Sequence, residues 1–380
     1  MLKSVAIKNF KAIRSVTVKL TDLSVFIGNN GSGKSSFIEA LQILQNALTY
    51  GLSNAFQDRW FGFEHIRNSD QKKLTGKKLF ENDIEIILRG KLGKDFFTYK
   101  VGFNTVLNGD LYVITNESLK KGNKTVFEKK ITNIQRNNGV VMSLFSENQF
   151  QTSLQLAETK ESFGVDFRNY ILSWQFLTLE PERMYFPTQR NYSTQKVKMK
   201  SSGENLADFF RRLQEKPELS NLVIDKLRYV LPDLDCIVGE EIAVQKQIYL
   251  FLKERNHDQR LPSWLFSSGT LRILAMLSIL NSEIPPPIVF IEEIENGLDP
   301  RTLNLLVEEM RGMLPEHQFI VTTHSPYFLD LVDLRHVVVA ERNKSNTEFY
   351  RPDEDEKLNT WKEKFSVGDL YTMNQLTRQN

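Results

Sequence analysis

The chain has 380 residues, which allows about two domains. Hydrophobic residues make up 41% and charged residues 25% of the sequence, which are ordinary values for a globular protein with a sizeable core. The formal net charge of +2 excludes a uniformly basic protein, so any contact with nucleic acid depends on a local patch. The single cysteine, Cys236, excludes an internal disulfide and a metal site made only of cysteines.

Neither a leader nor a membrane span is indicated. The N-terminal residues Met1–Lys8 lack the apolar stretch of a signal peptide. No apolar run approaches the roughly 18 residues that a membrane span needs. The nearest, Ile273–Leu280, follows Arg272 directly. We therefore expect a soluble cytoplasmic protein without a membrane partner.

The first elements along the chain are strands and one long helix. Residues 2–27 have the alternation and apolar runs of strands. Residues 35–48 carry apolar side chains at helical spacing, which predicts an amphipathic helix. From about residue 80 to 115 the apolar residues alternate, as in Ile84–Leu88 and Phe97–Val101, and this predicts antiparallel strands.

The second half of the chain becomes regular again after a polar stretch. Residues 116–205 are more polar, whereas 205–231 has the spacing of two helices with Pro217 between them. From Pro262 helices alternate with buried strands, which implies a parallel sheet with helical crossovers. After the first of these helices come strand Ile288–Ile291, helix Thr302–Met313 and strand Phe319–Thr322.

The strongest motif is a full match to G-x-x-x-x-G-K-[ST], between an apolar strand and an amphipathic helix. Its glycines let backbone N–H groups point at phosphates, and the following helix presents its positive N-terminus to the same anion. We expect Lys34 to reach the β- and γ-phosphates and the Ser35 hydroxyl to bind Mg²⁺. The predicted nucleotide-binding residues are Gly28, Asn29, Asn30, Gly31, Ser32, Gly33, Lys34, Ser35 and Ser36.

A P-loop alone leaves kinases, GTPases and motors open, although the guanine-reading pattern N-K-x-D is missing at Asn343–Asn346. The strand Ile288–Ile291 ends in two carboxylates, a pair that surface charge also explains when it stands alone. In a P-loop protein, Glu292 is suited to hold Mg²⁺. Glu293 is suited to orient or deprotonate the attacking water.

Three further motifs decide between the P-loop classes. The first motif, residues 265–272, places Ser-Ser-Gly at the start of a predicted helix. The second, Asn296–Pro300, follows the two carboxylates, and the third, Thr322–Pro326, follows the next strand. With the P-loop and Glu292-Glu293, this order resembles the ABC ATPase superfamily. The resemblance is to its soluble branch, which includes SMC proteins, RecF and OLD-like ATPases. A closer resemblance is to AAA-type ATPases of bacterial defence loci, carried by Ser202–Ala207 and Ser366–Tyr371.

The resemblance implies roles that the residues alone leave open. Ser267 and Gly269 would contact the γ-phosphate held by a second subunit, and Asp299 would lie at the dimer seam. His324 would contact the γ-phosphate as a switch, whereas a lone histidine is more often a capping or core residue. Ser268 and Thr270 depart from the glycine and glutamine of transporters. The glutamine that couples Mg²⁺ to the neighbouring lobe has no firm position, and Gln71 is one candidate.

The implied fold class is α/β, a P-loop NTPase of ABC-ATPase type. It has a mixed central sheet, an N-terminal antiparallel β-lobe and an inserted, partly helical lid. The expected divisions are residues 1–160, the N-terminal ATPase lobe; 161–255, the lid; 256–345, the C-terminal ATPase lobe; and 346–380, a C-terminal extension.

The implied function is that of an ATPase with ATP and Mg²⁺ as cofactors, which dimerises around ATP. We expect it to act as a sensor or regulator in a DNA-linked or anti-phage defence system, with a separate effector such as a nuclease or toxin. A RecF-like DNA-repair ATPase is the alternative. A transporter subunit is disfavoured by the long insertion between Ser35 and Ser267. It is also disfavoured by the signature motif, residues 265–272, which departs from the transporter pattern at Ser268 and Thr270.

Two basic stretches make DNA or RNA a candidate ligand. Lys120–Arg136 holds six basic residues against one acid, and Arg183–Lys200 holds five basic residues with interleaved aromatics and no acid. A solvated loop is the other explanation for such a charge run. The candidate contacts are Arg190, Lys196, Lys198 and Lys200.

Overall fold

The computed structural model describes residues 1–57, 62–68, 83–106, 111–130, 151–157, 162–192, 197–343, 346–361 and 364–377. The chain forms two compact units. Unit 1 comprises Met1–Trp174, Leu334–Trp361 and Asn374–Asn380, and unit 2 comprises Gln175–Asp333 and Lys362–Met373. Across these described ranges, no helix has both the length and the apolar composition that a bilayer crossing requires.

The regular elements follow one another along the chain as two lists. The strands are β1 (Leu2–Phe10), β2 (Ile13–Lys19), β3 (Leu23–Ile27), β4 (Ile84–Leu92), β5 (Asp95–Val106), β6 (Leu111–Lys121), β7 (Lys124–Lys130), β8 (Gln175–Leu177), β9 (Thr188–Gln189), β10 (Leu234–Ile242), β11 (Gln247–Glu254), β12 (Arg260–Pro262), β13 (Ile288–Ile291), β14 (Gln318–Thr322), β15 (Val337–Asn343) and β16 (Asn346–Tyr350). The helices are α1 (Lys34–Tyr50), α2 (Leu52–Gln57), α3 (Phe63–Ile66), α4 (Phe163–Leu172), α5 (Pro181–Met184), α6 (Leu206–Leu213), α7 (Pro217–Val230), α8 (Ser268–Leu280), α9 (Pro300–Gly312), α10 (Pro326–Asp330), α11 (Glu356–Trp361) and α12 (Val367–Thr372).

Unit 1 contains an antiparallel sheet of strand order β2-β1-β4-β5-β6-β7. Ile7 in β1 pairs with Val16 in β2 and Ile86 in β4, and Ile86 pairs in turn with Val101 in β5. Side chains directly opposite one another share a face of the sheet, and Ile7, Ile86 and Val101 are all fully buried on that face. The predicted antiparallel strands are confirmed.

A second group of strands in unit 1 positions the P-loop. β15 pairs with β3 in parallel and with β16 in antiparallel orientation. Every residue of β3 is buried, as expected for a strand covered on both faces. Phe26 of β3 stacks on Phe37 of α1 with ring centroids 4.8 Å apart, and Phe349 of β16 packs on both rings. This aromatic contact fixes α1 against the strand that precedes the P-loop.

Unit 2 contains a parallel group of strands in the order β14-β13-β8. β13 and β14 are buried throughout and are joined by α9, as the alternation of helices and strands predicts. Phe176 of β8 stacks on Phe290 of β13 with centroids 4.3 Å apart. The carboxyl end of β13 is therefore held between two neighbouring strands.

The remainder of unit 2 is partly helical, as the fold class predicts, but it also holds an unpredicted sheet. α6 and α7 lie where the helical spacing indicates, and Pro217 is the first residue of α7. β10 and β11 form an antiparallel hairpin, with β12 and β9 pairing to β11. The alternation of Ile248, Leu250 and Leu252, all buried, is the signal for this strand.

The segment Ser366–Tyr371 folds as α12 and docks on α10 within unit 2. Ser366 and Asp369 form a reciprocal capping box at the helix start. The Gly368 N–H donates to Asp330 Oδ1 at 2.7 Å. A Cβ on Gly368 would lie 2.4 Å from the Pro326 carbonyl oxygen, so only glycine allows this close packing.

Replacing Gly368 by alanine should therefore lower the free energy of unfolding by about 1–3 kcal/mol, because the new methyl group overpacks the contact with α10. Gly312 in α9 is the matched control, since a Cβ there meets nothing within 4 Å. Gly312→Ala should stabilise the protein by about 0.5–1 kcal/mol through reduced entropy of the unfolded chain. Chemical denaturation measures both changes, and equal effects of the two substitutions would show that α12 is not packed tightly on α10.

Candidate functional site

The P-loop of unit 1 has a backbone that requires glycine. Gly28, Gly31 and Gly33 have φ angles of 137°, 76° and 105°, in the region that side chains disfavour. A Cβ on Gly28 would lie 2.1 Å from the carbonyl oxygen of Ala340 in β15. A Cβ on Gly33 would lie 2.7 Å from Thr347 Oγ1 in β16. The loop is thus pressed against the β15–β16 hairpin.

Lys34 lies buried beneath this loop, with 7% of its surface exposed. Its Nζ donates to the carbonyl oxygens of Gly28 at 2.7 Å and Asn29 at 3.2 Å. Neutral carbonyls are weaker partners for a buried ammonium group than phosphate oxygens. The arrangement therefore suits exchange of these carbonyls for an anionic ligand.

Two further features of the loop fit a phosphate. Ser32 Oγ is buried, and no group in the described part of the chain forms a hydrogen bond with it. The N-cap residue of α1 is Gly33, which has no side chain to cap the helix, and the first turn contains no acidic residue. The N–H groups of this turn are therefore available to an anion. Asn29, Asn30, Gly31 and Ser35 are exposed, whereas Gly28, Ser32, Gly33, Lys34 and Ser36 are buried.

In unit 2 the predicted carboxylates follow β13. The Glu292 N–H donates to the Leu177 carbonyl at 3.0 Å, which continues the pairing with β8, and its side chain is half-buried. Glu293 is exposed and has a φ of 48°, a conformation that glutamate rarely adopts. Strained backbone of this kind is concentrated at functional sites.

Hydrogen bonds hold Glu293 in this conformation. Its N–H donates to Thr322 Oγ1 at 2.8 Å, and its carboxylate accepts from Asn296 Nδ2. Arg272 of α8 is half-buried nearby: burial lowers the pKa of its guanidinium, and the carboxylates of Glu182 and Glu293 act in the opposite direction. Sequence reasoning gave no role to Thr322, Asn296 or Arg272.

The signature and the segment after the carboxylates meet within the same unit. Ser267 caps α8 by accepting from the Thr270 N–H at 3.0 Å, and it remains exposed. A Cβ on Gly269 would lie 2.5 Å from the Gly297 carbonyl oxygen, so these two glycines allow a close approach.

Asp299 and His324 also lie in unit 2. Asp299 is exposed and caps α9; the hydrogen bond from the Thr302 hydroxyl, followed by backbone N–H donors, lowers the pKa of its carboxyl group. His324 is half-buried in the loop between β14 and α10. Its N–H donates to Glu295 Oε1 at 2.5 Å.

The candidate nucleic-acid contacts are partly neutralised by neighbouring acids. Arg190 pairs with Glu241 and lies over the Tyr192 ring, with its guanidinium carbon 4.9 Å from the centroid. Lys200 pairs with Glu204 at 2.5 Å, whereas Lys198 is exposed. Lys196 and Gln71 lie outside the described residues. The nucleic-acid patch stays a prediction.

No ready-made cation site is present in the described ranges: no group of three or more His, Cys, Asp or Glu side chains is placed to hold a metal ion. A Mg²⁺ ion that arrives with a nucleotide does not require such a group, because phosphate oxygens and water complete its coordination.

Comparison with known families decides between the P-loop classes. Residues 110–330, more than half of the 380, match the family described as "AAA domain, putative AbiEii toxin, Type IV TA system". The chain belongs to this family. Residues 1–76 also match a family described as "Protein of unknown function (DUF2813)".

Two relatives of this family member align over most of its length. An "ATP/GTP phosphatase" of Helicobacter pylori (strain ATCC 700392 / 26695) is 22% identical over 361 residues, covering 88% of each chain. The "Retron Vc95 probable ATPase" of Vibrio cholerae serotype O1 biovar El Tor is 21% identical over 373 residues, covering 87% of this chain and 71% of that protein.

Solved structures share the fold. The Smc head bound to the C-winged helix domain of ScpA has a TM-score of 0.55 at 12% identity, covering 92% of this chain and 96% of that chain. The Smc head with an extended coiled coil, bound to the C-terminal domain of ScpA derived from Pyrococcus furiosus, has a TM-score of 0.55 at 11% identity, covering 96% and 99%. The predicted fold class and the prediction of an ABC/AAA-type ATPase are confirmed.

The close contact between Gly33 and β16 gives a test of the loop geometry. Gly33→Ala should lower the free energy of unfolding by about 2–5 kcal/mol, because it adds a clash with Thr347 to left-handed strain. Gly31→Ala should cost only about 1–2 kcal/mol, since its Cβ would meet nothing within 4 Å and only the strain remains. Chemical denaturation of both variants measures the difference, and equal losses would contradict the contact with β16.

Proposed function

We propose that this chain binds Mg-ATP at its P-loop and hydrolyses it to ADP and phosphate. The buried Lys34, whose ammonium group is held by carbonyl oxygens, carries the proposal. Beside it lies the buried Ser32 hydroxyl, which has no hydrogen-bond partner among the described residues. Both groups suit the β- and γ-phosphates of a nucleotide. The confirmed ATPase class supports the same ligand.

Ser35, in the first turn of α1, and Glu292, directly after β13, have the donor chemistry that Mg²⁺ prefers. The Ser35 hydroxyl and the Glu292 carboxylate are hard oxygen ligands, and both side chains have surface open to solvent. When bound, Mg²⁺ would neutralise charge that develops on the phosphate oxygens. We assign Ser35 and Glu292 to this ion.

Glu293 is assigned to the attacking water, and His324 to the γ-phosphate. The Glu293 carboxylate is exposed, and its position is fixed by the bonds to Thr322 and Asn296. A fixed carboxylate can orient water and accept its proton as the bond to phosphorus forms. The Arg272 guanidinium lies near this carboxylate, and the charge of Glu293 favours the charged form of the arginine.

The signature is assigned to ATP held by a second copy of the chain. Ser267 uses its hydroxyl to cap α8 and stays exposed, and the half-buried Gly269 fits closely against Gly297. An exposed helix start without an acidic first turn suits a γ-phosphate supplied from outside. Asp299, exposed at the start of α9, would lie at the seam between the copies.

We further propose that ATP turnover serves a defence system, with this chain as sensor or regulator and a separate effector such as a nuclease or toxin. The family description names a toxin of a Type IV TA system, and one relative is a retron ATPase. Co-purification of the tagged chain from its own host tests this role. Recovery of a nuclease or toxin supports it, and ATP-dependent binding of DNA by the chain alone would favour the repair alternative.

Lys34→Ala should weaken ATP binding about 100-fold, which corresponds to ~3 kcal/mol, because it removes a buried positive charge from the phosphate cradle. Isothermal titration calorimetry with ATP measures this loss. Lys3→Ala, which removes an exposed lysine of β1, is the control and should bind as wild type. Equal affinities of the two variants would contradict the P-loop assignment.

Glu293→Gln should retain ATP affinity and lose turnover by a factor of about 10²–10⁴, because an amide is nearly isosteric but cannot accept the proton. Glu308→Gln is the matched control, since this exposed carboxylate pairs only with the surface residue Arg311 in the described structure. A Glu293→Gln enzyme with wild-type turnover in a phosphate-release assay would contradict the assignment.

The Glu293→Gln variant also tests whether two copies of the chain share one ATP site. ATP bound between two copies stabilises their association by mass action, so Glu293→Gln should accumulate as an ATP-dependent dimer in light scattering. Adding Ser267→Arg should abolish that dimer, because a bulky side chain would occupy the γ-phosphate approach. Hydrolysis by a strict monomer that is insensitive to Ser267→Arg would exclude the shared site.

A further inference from the structure

The loop that carries His324 is held by a carboxylate that the proposed chemistry does not use. Glu295 Oε2 accepts from the Thr323 hydroxyl at 2.8 Å, and Glu295 Oε1 accepts from the His324 N–H at 2.5 Å. Thr323 is fully buried, and its Oγ1 also accepts from the Ser325 N–H at 3.1 Å. One carboxylate thus engages two successive residues of the loop with its two oxygens.

A second bridge joins the same two segments next to this one. The Glu293 N–H donates to Thr322 Oγ1 at 2.8 Å, and the Ile294 N–H donates to the Thr322 carbonyl at 3.2 Å. Glu293 and Ile294 therefore both bond to Thr322, and Glu295 bonds to the next two residues, Thr323 and His324. Any displacement of one segment requires the other to move or these bonds to break.

We propose that Glu295 is a positioning residue, which sets the place of His324 relative to Glu293. The inference rests on the proposed function, because it assigns His324 and Glu293 to the same reaction. Only an ionised carboxylate provides two acceptors of this strength, since an amide has one oxygen and an NH₂ donor.

The other end of the loop is fixed as well. Ser325 caps α10 by accepting from the Phe328 N–H at 3.2 Å, and Asp330 of α10 accepts from Gly368 of α12. Tyr371 of α12 lies close to Glu295: burial raises the pKa of its phenol, and the Glu295 charge raises it further. The backbone on both sides of His324 is therefore restrained, and the Glu295 carboxylate accepts directly from the His324 N–H.

Substitutions at both ends of the Thr323–Glu295 bond test the proposal. Glu295→Ala and Thr323→Val should each lower kcat for ATP about tenfold or more, with KM within about threefold, because binding by the P-loop is separate. Thr323→Ser keeps the hydroxyl and should restore kcat, and Glu295→Gln should be intermediate. Amide hydrogen exchange in residues 322–325 should be faster in Glu295→Ala and Thr323→Val, and unchanged in Glu308→Gln.

A double-mutant cycle separates positioning from a general loss of structure. If Glu295 acts through His324, Glu295→Ala/His324→Ala should have the same kcat as His324→Ala alone. The proposal would be overturned if the loss of kcat in the double mutant equalled the product of the two single-mutant losses. Equal kcat values for Thr323→Val and Thr323→Ser would also overturn it. Should Glu295→Ala fail to fold, this threonine pair decides.

Failure of the proposed function would give a different pattern of results. Wild-type turnover by His324→Ala would show that His324 has no part in hydrolysis. Amide hydrogen exchange then tests the role of Glu295. Slow exchange at residues 322–325 in Glu295→Ala would overturn the positioning role. Fast exchange would show that Glu295 positions the loop although His324 takes no part in hydrolysis.

Discussion

The backbone of the P-loop approaches β15 and β16 more closely than a side chain would permit. At Gly28 the neighbour is a backbone carbonyl, which cannot rotate away, and at Gly33 it is the buried side chain of Thr347. The glycines allow this close contact, and carbonyl oxygens of the same loop accept from Lys34 Nζ. The ammonium group is buried, and it is held by carbonyl oxygens that a stronger anionic partner can replace.

The segment that follows β13 in unit 2 concentrates carboxylates, whereas the P-loop in unit 1 holds a buried ammonium group. Three carboxylates, those of Glu292, Glu293 and Glu295, lie within four residues. The Glu295 carboxylate accepts from the Thr323 hydroxyl and the His324 N–H, whereas the Thr322 hydroxyl accepts from the Glu293 N–H. The Arg272 guanidinium lies near the Glu293 carboxylate, and the two carry opposite charges. The Thr-Thr-His sequence is thus explained by hydrogen bonding as well as by the histidine itself.

Local patterns in the sequence predict the elements whose signals are local. The P-loop glycines, the buried strand before Glu292 and the helix that follows Asp299 each depend on neighbours within a few residues, and all three are found in the structure. The confirmed fold class follows from the order of these motifs, and the roles assigned to their side chains stay predictions.

Local sequence patterns could not predict contacts between residues that are far apart in the chain. Thr347 lies more than 300 residues from Gly33, and no local pattern links the two. Glu295 and Thr323 are 28 residues apart on different strand ends. The basic stretch around Arg190 has no acid in sequence, yet Glu241 neutralises that arginine from the edge of a strand 51 residues away. The composition of this stretch therefore suggested more positive charge around Arg190 than remains once Glu241 is paired with it.

The central claim is that two copies of the chain share ATP, the P-loop from one and the signature from the other. Mixing Lys34→Ala protein with Ser267→Arg protein, each inactive alone, tests this claim most directly. Random pairing makes about half of the dimers mixed, and each mixed dimer has one intact site of two. The shared-site account predicts recovery of about one quarter of the wild-type ATPase rate on mixing. A mixture that remains inactive, although the two variants are shown to associate, would contradict it.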